Sequence, residues 1–317
     1  MLTARCIWQR AEHNAFTDLI WFKQALWCVF REGADHISPD GAFRLLRSAD
    51  LGNSWQSAAL ISASDADLRD GKLSVQPDGS LLLLGAGALH NREQQTHQSY
   101  IWQSEDGVNW SAATPVGEAN IWLWRMAWQQ QRQKWYAVGY RVGPDRLVRL
   151  YHGENPLQLS PLADLYSDSY ANESGLLFEA DGTALCILRR DPDHGLFGQS
   201  KPPYTTWQWQ DIGCRIGGPQ WLQLADGRIL ACVRLYDNEI RTSLCWIDRH
   251  SGKLTEWQPL PSSGDCSYAG MVLLDETLYI SYYSSHEGKT SIYFTEIALA
   301  ATLPPPENNT TQPTSVS

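Results

Sequence analysis

Arg31, Arg189 and Arg234 each close an apolar run eight residues past the centre of a polar turn, and Asp70, Glu173 and Tyr268 lie seven or eight residues ahead of such a centre. Antiparallel pairing sets the residue before a hairpin turn beside the one after it, so these six side chains are expected at one mouth. The chain carries 25 Lys+Arg against 35 Asp+Glu, a formal net charge of −10. Three guanidinium groups gathered in so acidic a protein make a local positive focus, which suits a small anion and not a polyanion. Solvated ion pairs at strand ends are the other reading of the same residues.

The elements that must position them are six hairpins. Short apolar runs flank a polar turn at Lys23, Asp78, Gln131, Asp181, Asp226 and Asp275. Asp78-Gly79, Asp181-Gly182 and Asp226-Gly227 supply the positive φ that a tight turn needs. The centres are 45 to 55 residues apart, room for a four-stranded antiparallel sheet and too little for a domain. Such units cannot bury their faces alone, so the spacing predicts an all-β fold, a six-bladed β-propeller. No segment has a long helical period. Fifteen Trp and 13 Tyr against 3 Met fit many short strands.

Two loops repeat a motif. Ser48-Ala-Asp-Leu-Gly-Asn-Ser-Trp55 fits the pattern Ser-x-Asp-x-Gly-x-Thr/Ser-Trp known as the Asp box, and Ser104-Glu-Asp-Gly-Val-Asn-Trp110 is a shortened copy. The Asp accepts bonds from turn amides, the Gly permits a left-handed turn, and the Trp is expected to plug the gap between strands of a blade. Trp209 and Trp257 follow at roughly one repeat. The role of these motifs is structural.

With these boxes, six repeats, three blade-end arginines and the opposed Tyr and Glu, the chain resembles the sialidase (neuraminidase) superfamily over residues 13–300, as does the segment 263–297. The resemblance implies an exo-acting glycoside hydrolase that removes a terminal acidic sugar with retention. It matches Arg31, Arg189 and Arg234 to a triad holding the substrate carboxylate, with Arg241 and Arg190 in reserve for the last two, Tyr268 to the nucleophile and Glu173 to the carboxylate that activates it. Asp70 in DLRDGKL resembles a second family Asp that contacts substrate and is a further candidate for the proton donor, and Arg69 beside it is a candidate substrate contact. The proton donor falls in the loop ADHISPDG, where Asp35, His36 and Asp40 stand open as alternatives, Asp35 also serving as a substrate contact. His36 suits acid work by its ordinary pKa near ~6.5. The Glu that steadies the first Arg in the family has no evident match, Glu287 falling a few residues late. A propeller that binds an acidic glycan or a protein without catalysis, or an enzyme acting on a neutral or uronic sugar through His36 and Tyr268, are the alternatives.

Composition bounds the rest. No nucleic acid or membrane partner is expected, no apolar stretch approaching the ~20 residues of a spanning helix. No secretory signal is visible from Met1 to Arg10, and seven Cys without a CxxC pair read as reduced thiols, so a cytoplasmic protein is expected. Gly85-Ala-Gly87 is a turn and not a dinucleotide site. His90, His97, His194 and His286 lack metal-ligand spacing, and neither metal nor cofactor is expected. Residues 1–300 are read as one propeller and 301–317 as a disordered Pro/Thr/Ser-rich tail.

Overall fold

Each apolar run pairs across its turn as the periodicity requires. In the computed structural model, residues 2–143 and 145–299 are described; the expected tail lies outside them. The described residues form six four-stranded antiparallel sheets and no helix, the arrangement of a six-bladed β-propeller. Three of the turns carry glycines at φ +85, +83 and +88, Gly79, Gly182 and Gly227. Lys23-Gln24 and Asp275-Glu276 make the turn without glycine, both residues of each pair at positive φ, which matches the twist of the paired strands. The ring closes on itself: Arg5–Trp8 pairs with Ser291–Ala298 and completes the sixth blade.

The innermost strands are His13–Phe22, Ala66–Val75, Ile121–Gln129, Tyr170–Phe178, Ile216–Gln223 and Cys266–Leu274. All six break register at the same place, between Ala15 and Asp18, Arg69 and Lys72, Leu123 and Arg125, Ala171 and Ser174, Gly217 and Gln220, and Ser267 and Gly270. Such a bulge re-aims a side chain that the regular pleat would have sent elsewhere. Among the one or two residues it releases on each strand are Phe16, Asp70, Trp124, Glu173, Gly218 and Tyr268. Phe16, Asp70, Gly218 and Tyr268 hold φ of +62, +57, +53 and +49, conformations that cost non-glycine residues about 1–3 kcal/mol each. The bulge thus recurs in every blade, and in blades one, two and six it holds a strained residue, Phe16, Asp70 and Tyr268.

The two outer loops form the expected bonds, but their aromatic contacts run elsewhere. Asp50 Oδ1 accepts from Ser54 N at 2.9 Å, and Asp106 Oδ1 from Asn109 N at 2.7 Å. Trp55 packs on Phe294 of the sixth blade at 5.3 Å between centroids, and Gly107 lies against Trp27 of the first blade. These loops therefore join neighbouring blades and do not only fill a gap within one. Gly52, at φ +90, lets the Phe294 ring come so close that a Cβ would stand 2.2 Å from it.

Candidate active site

The bulge tier converges. Tyr268 meets Phe16 at 5.1 Å and Trp124 at 5.7 Å between ring centroids, and Gly218 leaves space that Tyr268 fills, since a Cβ there would stand 2.8 Å from Tyr268 Cδ2. Polar and apolar members alternate, Asp70, Glu173 and Tyr268 coming from blades two, four and six. Above them opens a cavity of about 310 Å³ walled by these three, by Phe16, His36, Arg69 and His97, and by Trp122, Tyr140 and Tyr170. A larger hollow of about 500 Å³, lined by Ala59–Ala63 and Trp110 at the outer edge of the first two blades, holds no titratable side chain.

Within the cavity wall the phenol of Tyr268 donates to Glu173 Oε1 at 2.5 Å. Arg189 Nη1 stands 2.7 Å from the same carboxylate oxygen and donates to the phenol oxygen at 3.2 Å. Glu173 Oε2 accepts from the Gly218 amide at 2.8 Å, so both carboxylate oxygens are engaged. Burial, then the Glu173 charge, raises the Tyr268 pKa well above the ordinary phenol value; Arg189 and Arg234 oppose this and are outweighed. Its surroundings therefore favour the neutral phenol, whose proton is directed at Glu173 Oε1.

Asp70 differs from Glu173, the other carboxylate of the cavity wall, in its partners. It is buried, and its Oδ1 has no hydrogen-bond partner. Burial first, then Glu173, push its pKa up to about 7 against the pull of Lys72, Arg69 and His36. A carboxyl that keeps its proton near neutral pH is suited to donate one and later accept one. His97, pushed down to about 4 by burial and then by Arg92 and Arg69, is a neutral wall.

The arginines do not converge as three open forks. Arg189 and Arg234 flank Tyr268, the guanidinium of Arg234 lying 5.4 Å from the ring centroid. Arg31 is fully buried and faces no cavity: its Nε donates to Asp67 at 2.8 Å, Nη1 to the Asp35 carbonyl at 2.8 Å, and Nη2 to Ser38 Oγ at 2.9 Å. The loop that follows it folds back over the guanidinium, with Asp40 binding the Ala34 amide at 3.1 Å. Asp35 accordingly serves that loop, its carboxylate accepting from the His36 amide at 2.7 Å. Arg69 does reach the wall, held by Asp67 at 2.6 Å. Arg190 binds the His194 carbonyl and Tyr166, and Arg241 binds Asp237 and Glu256; both lie off the cavity. Glu287 is taken by Tyr293, and it is Asp67 that steadies Arg31.

Asp67, His13 and Asp265 are the residues that sequence reasoning missed. Each lies three residues before a bulge residue, Asp70, Phe16 and Tyr268, so the offset that singled out the lower tier would have found this upper one. Asp265 Oδ2 lies 2.8 Å from His36 Nδ1 and 3.2 Å from His13 Nε2, and Oδ1 accepts from Tyr283 at 2.7 Å. Burial disfavours its charge, but hydrogen bonds from His13, His36 and Tyr283 outweigh that and hold it well below the carboxylate range.

Comparison with known proteins agrees with the architecture. No protein-family model matches the chain, and no curated protein matches its sequence. Among solved structures, a Dyadobacter fermentans protein described as of unknown function is 18% identical, with a TM-score of 0.83 over 93% of this chain and 98% of that one. An alpha-L-arabinanase from Penicillium chrysogenum is 14% identical, with a TM-score of 0.74 over 95% and 99%. The NanB sialidase of Streptococcus pneumoniae is 9% identical, with a TM-score of 0.72 over 95% of this chain and 71% of that one. What these share with the chain is the six-bladed propeller. Fold and cavity together define a six-bladed propeller whose cavity wall carries two carboxyls and a phenol, Asp70, Glu173 and Tyr268.

Proposed function

We propose that the protein is a retaining exo-glycosidase that releases one terminal sugar, with Tyr268 as nucleophile, Glu173 as its base and Asp70 as proton donor. The observation that carries this reading is the 2.5 Å bond from the Tyr268 hydroxyl to Glu173, in the wall of a cavity that also holds Asp70. Structural neighbours titled sialidase and arabinanase lend it the class of glycosidase. Because both oxygens of Glu173 are engaged, it meets the sugar through the phenol. As the Tyr268 oxygen bonds to the anomeric carbon, the phenol proton passes to Glu173 and Asp70 protonates the departing oxygen. Asp70 then takes a proton from water as the water attacks the glycosyl-tyrosine, and Glu173 returns its proton to Tyr268.

The sugar this arrangement favours is neutral. A carboxylate-bearing sugar calls for open guanidinium forks, and Arg31 offers none. Arg234 is engaged by the Cys266 carbonyl and Tyr283, and Arg189 by Glu173 and Asp191. The acidic-sugar reading keeps one point in its favour, the two arginines beside the phenol. Turnover of aryl sialosides, uronides and arabinofuranosides separates the two. Neutral glycosides are expected to turn over and Tyr268→Phe to lose at least ~10²-fold in kcat. Turnover confined to the sialoside overturns the sugar class, and full activity in Tyr268→Phe overturns the nucleophile. Tight sugar binding without turnover makes the protein a binding module.

A further inference from the structure

We propose that His13, His36 and Asp265 form a binding site for one zinc-class divalent cation at the rim of the cavity. His13 comes from the first inner strand, Asp265 directly precedes the last one, and His36 comes from the loop after Arg31, so ring closure assembles the group. Their ligand atoms, His13 Nε2, His36 Nδ1 and an Asp265 carboxylate oxygen, lie within 4.8 Å of one another. Two imidazoles converge on the single oxygen Oδ2, at 3.2 and 2.8 Å. Ligands about 2.0–2.1 Å from a tetrahedral zinc are about 3.3 Å apart, so an ion would widen the 2.8 Å contact of His36 with Asp265 slightly and set the two imidazole nitrogens, now no more than 4.8 Å apart, at that spacing. Two histidines and one carboxylate suit a borderline cation better than calcium or magnesium, which take oxygen donors.

The surroundings fit a ligand set. Asp265 Oδ1 is oriented by the Tyr283 hydroxyl at 2.7 Å and by Arg234 at 3.4 Å, which leaves Oδ2 to the ion. Metal-bound carboxylates are ordinarily held in this way by a second layer of donors. His13 is buried while the His36 side chain is 46% exposed and walls the cavity. An ion there keeps coordination positions toward the cavity, for water or a sugar hydroxyl.

The test titrates chelator-treated full-length protein with zinc chloride by calorimetry, a readout independent of any turnover. One site is expected in the wild type, weakened at least ~100-fold in His36→Ala and in Asp265→Asn, and unchanged in His194→Ala, whose imidazole faces Asp211 instead. His36 stands on an exposed loop, so its replacement leaves the core intact, and the melting temperature should rise with zinc in the wild type and His194→Ala but not in His36→Ala or Asp265→Asn. Absence of binding, or equal binding in His36→Ala and wild type as free thiols such as Cys6 would give, overturns the proposal.

Discussion

Replacing Asp70 by Asn separates the cost of this residue from its use. In the fold its pKa is raised from 3.8 to about 7 by burial. A raised carboxyl pKa means that the folded state binds the proton more tightly than the unfolded chain, so the stability this proton contributes falls as pH rises from 3.8 toward 7 and is gone above it. Three units at about 1.4 kcal/mol each give a cost of roughly 4 kcal/mol at alkaline pH. Asp70→Asn, which carries no charge, should match the wild type near pH 3 and exceed it by about 3 kcal/mol more at pH 8 than at pH 5. Urea unfolding of both proteins at those pH values reads this directly. The same variant should lose ~10²–10⁴-fold in kcat/KM on glycosides with poor leaving groups and far less on activated aryl glycosides, whose departure needs no proton. A stability difference independent of pH, or equal losses on both substrates, would refute the burial of a protonated acid at this position.

Other perturbations follow from the same contacts. In the wild type kcat/KM should decline as pH rises through about 7, as Asp70 loses its proton; a pH profile flat to about 9 would exclude it as the acid. Gly218→Ala puts a Cβ 2.8 Å from the Tyr268 ring at φ +53; it should cost about 1–3 kcal/mol in thermal stability and displace the phenol, lowering kcat by ~10²-fold. Asp67→Asn leaves the fully buried Arg31 without its carboxylate and should cost about 3–5 kcal/mol in denaturant unfolding. An unchanged melting curve would show that the loop carbonyls alone suffice.

Much of the architecture is legible in the residues because it repeats. Turn centres at Lys23, Asp78, Gln131, Asp181, Asp226 and Asp275 predict six hairpins, and a fixed offset ahead of them finds Asp70, Glu173 and Tyr268. The bulge that brings these side chains to one cavity has no sequence signature of its own; it shows only in the register breaks that recur in all six innermost strands. Arg31 shows where periodicity stops: its offset places it correctly at a blade mouth, but an irregular loop decides what its guanidinium faces. The pairing of His36 with Asp265, 229 residues away, is likewise a product of ring closure, which local spacing does not encode.

The central claim is that Tyr268 carries the sugar between the two steps. A 2-deoxy-2-fluoro glycoside with an activated leaving group, matched to the neutral sugar that turns over, should slow the second step and trap the adduct. Proteolysis and tandem mass spectrometry are then expected to place the added mass on the Tyr268 side chain, with none in Tyr268→Phe. A label on Glu173 or Asp70, or release of product with inverted anomeric configuration, would contradict the account.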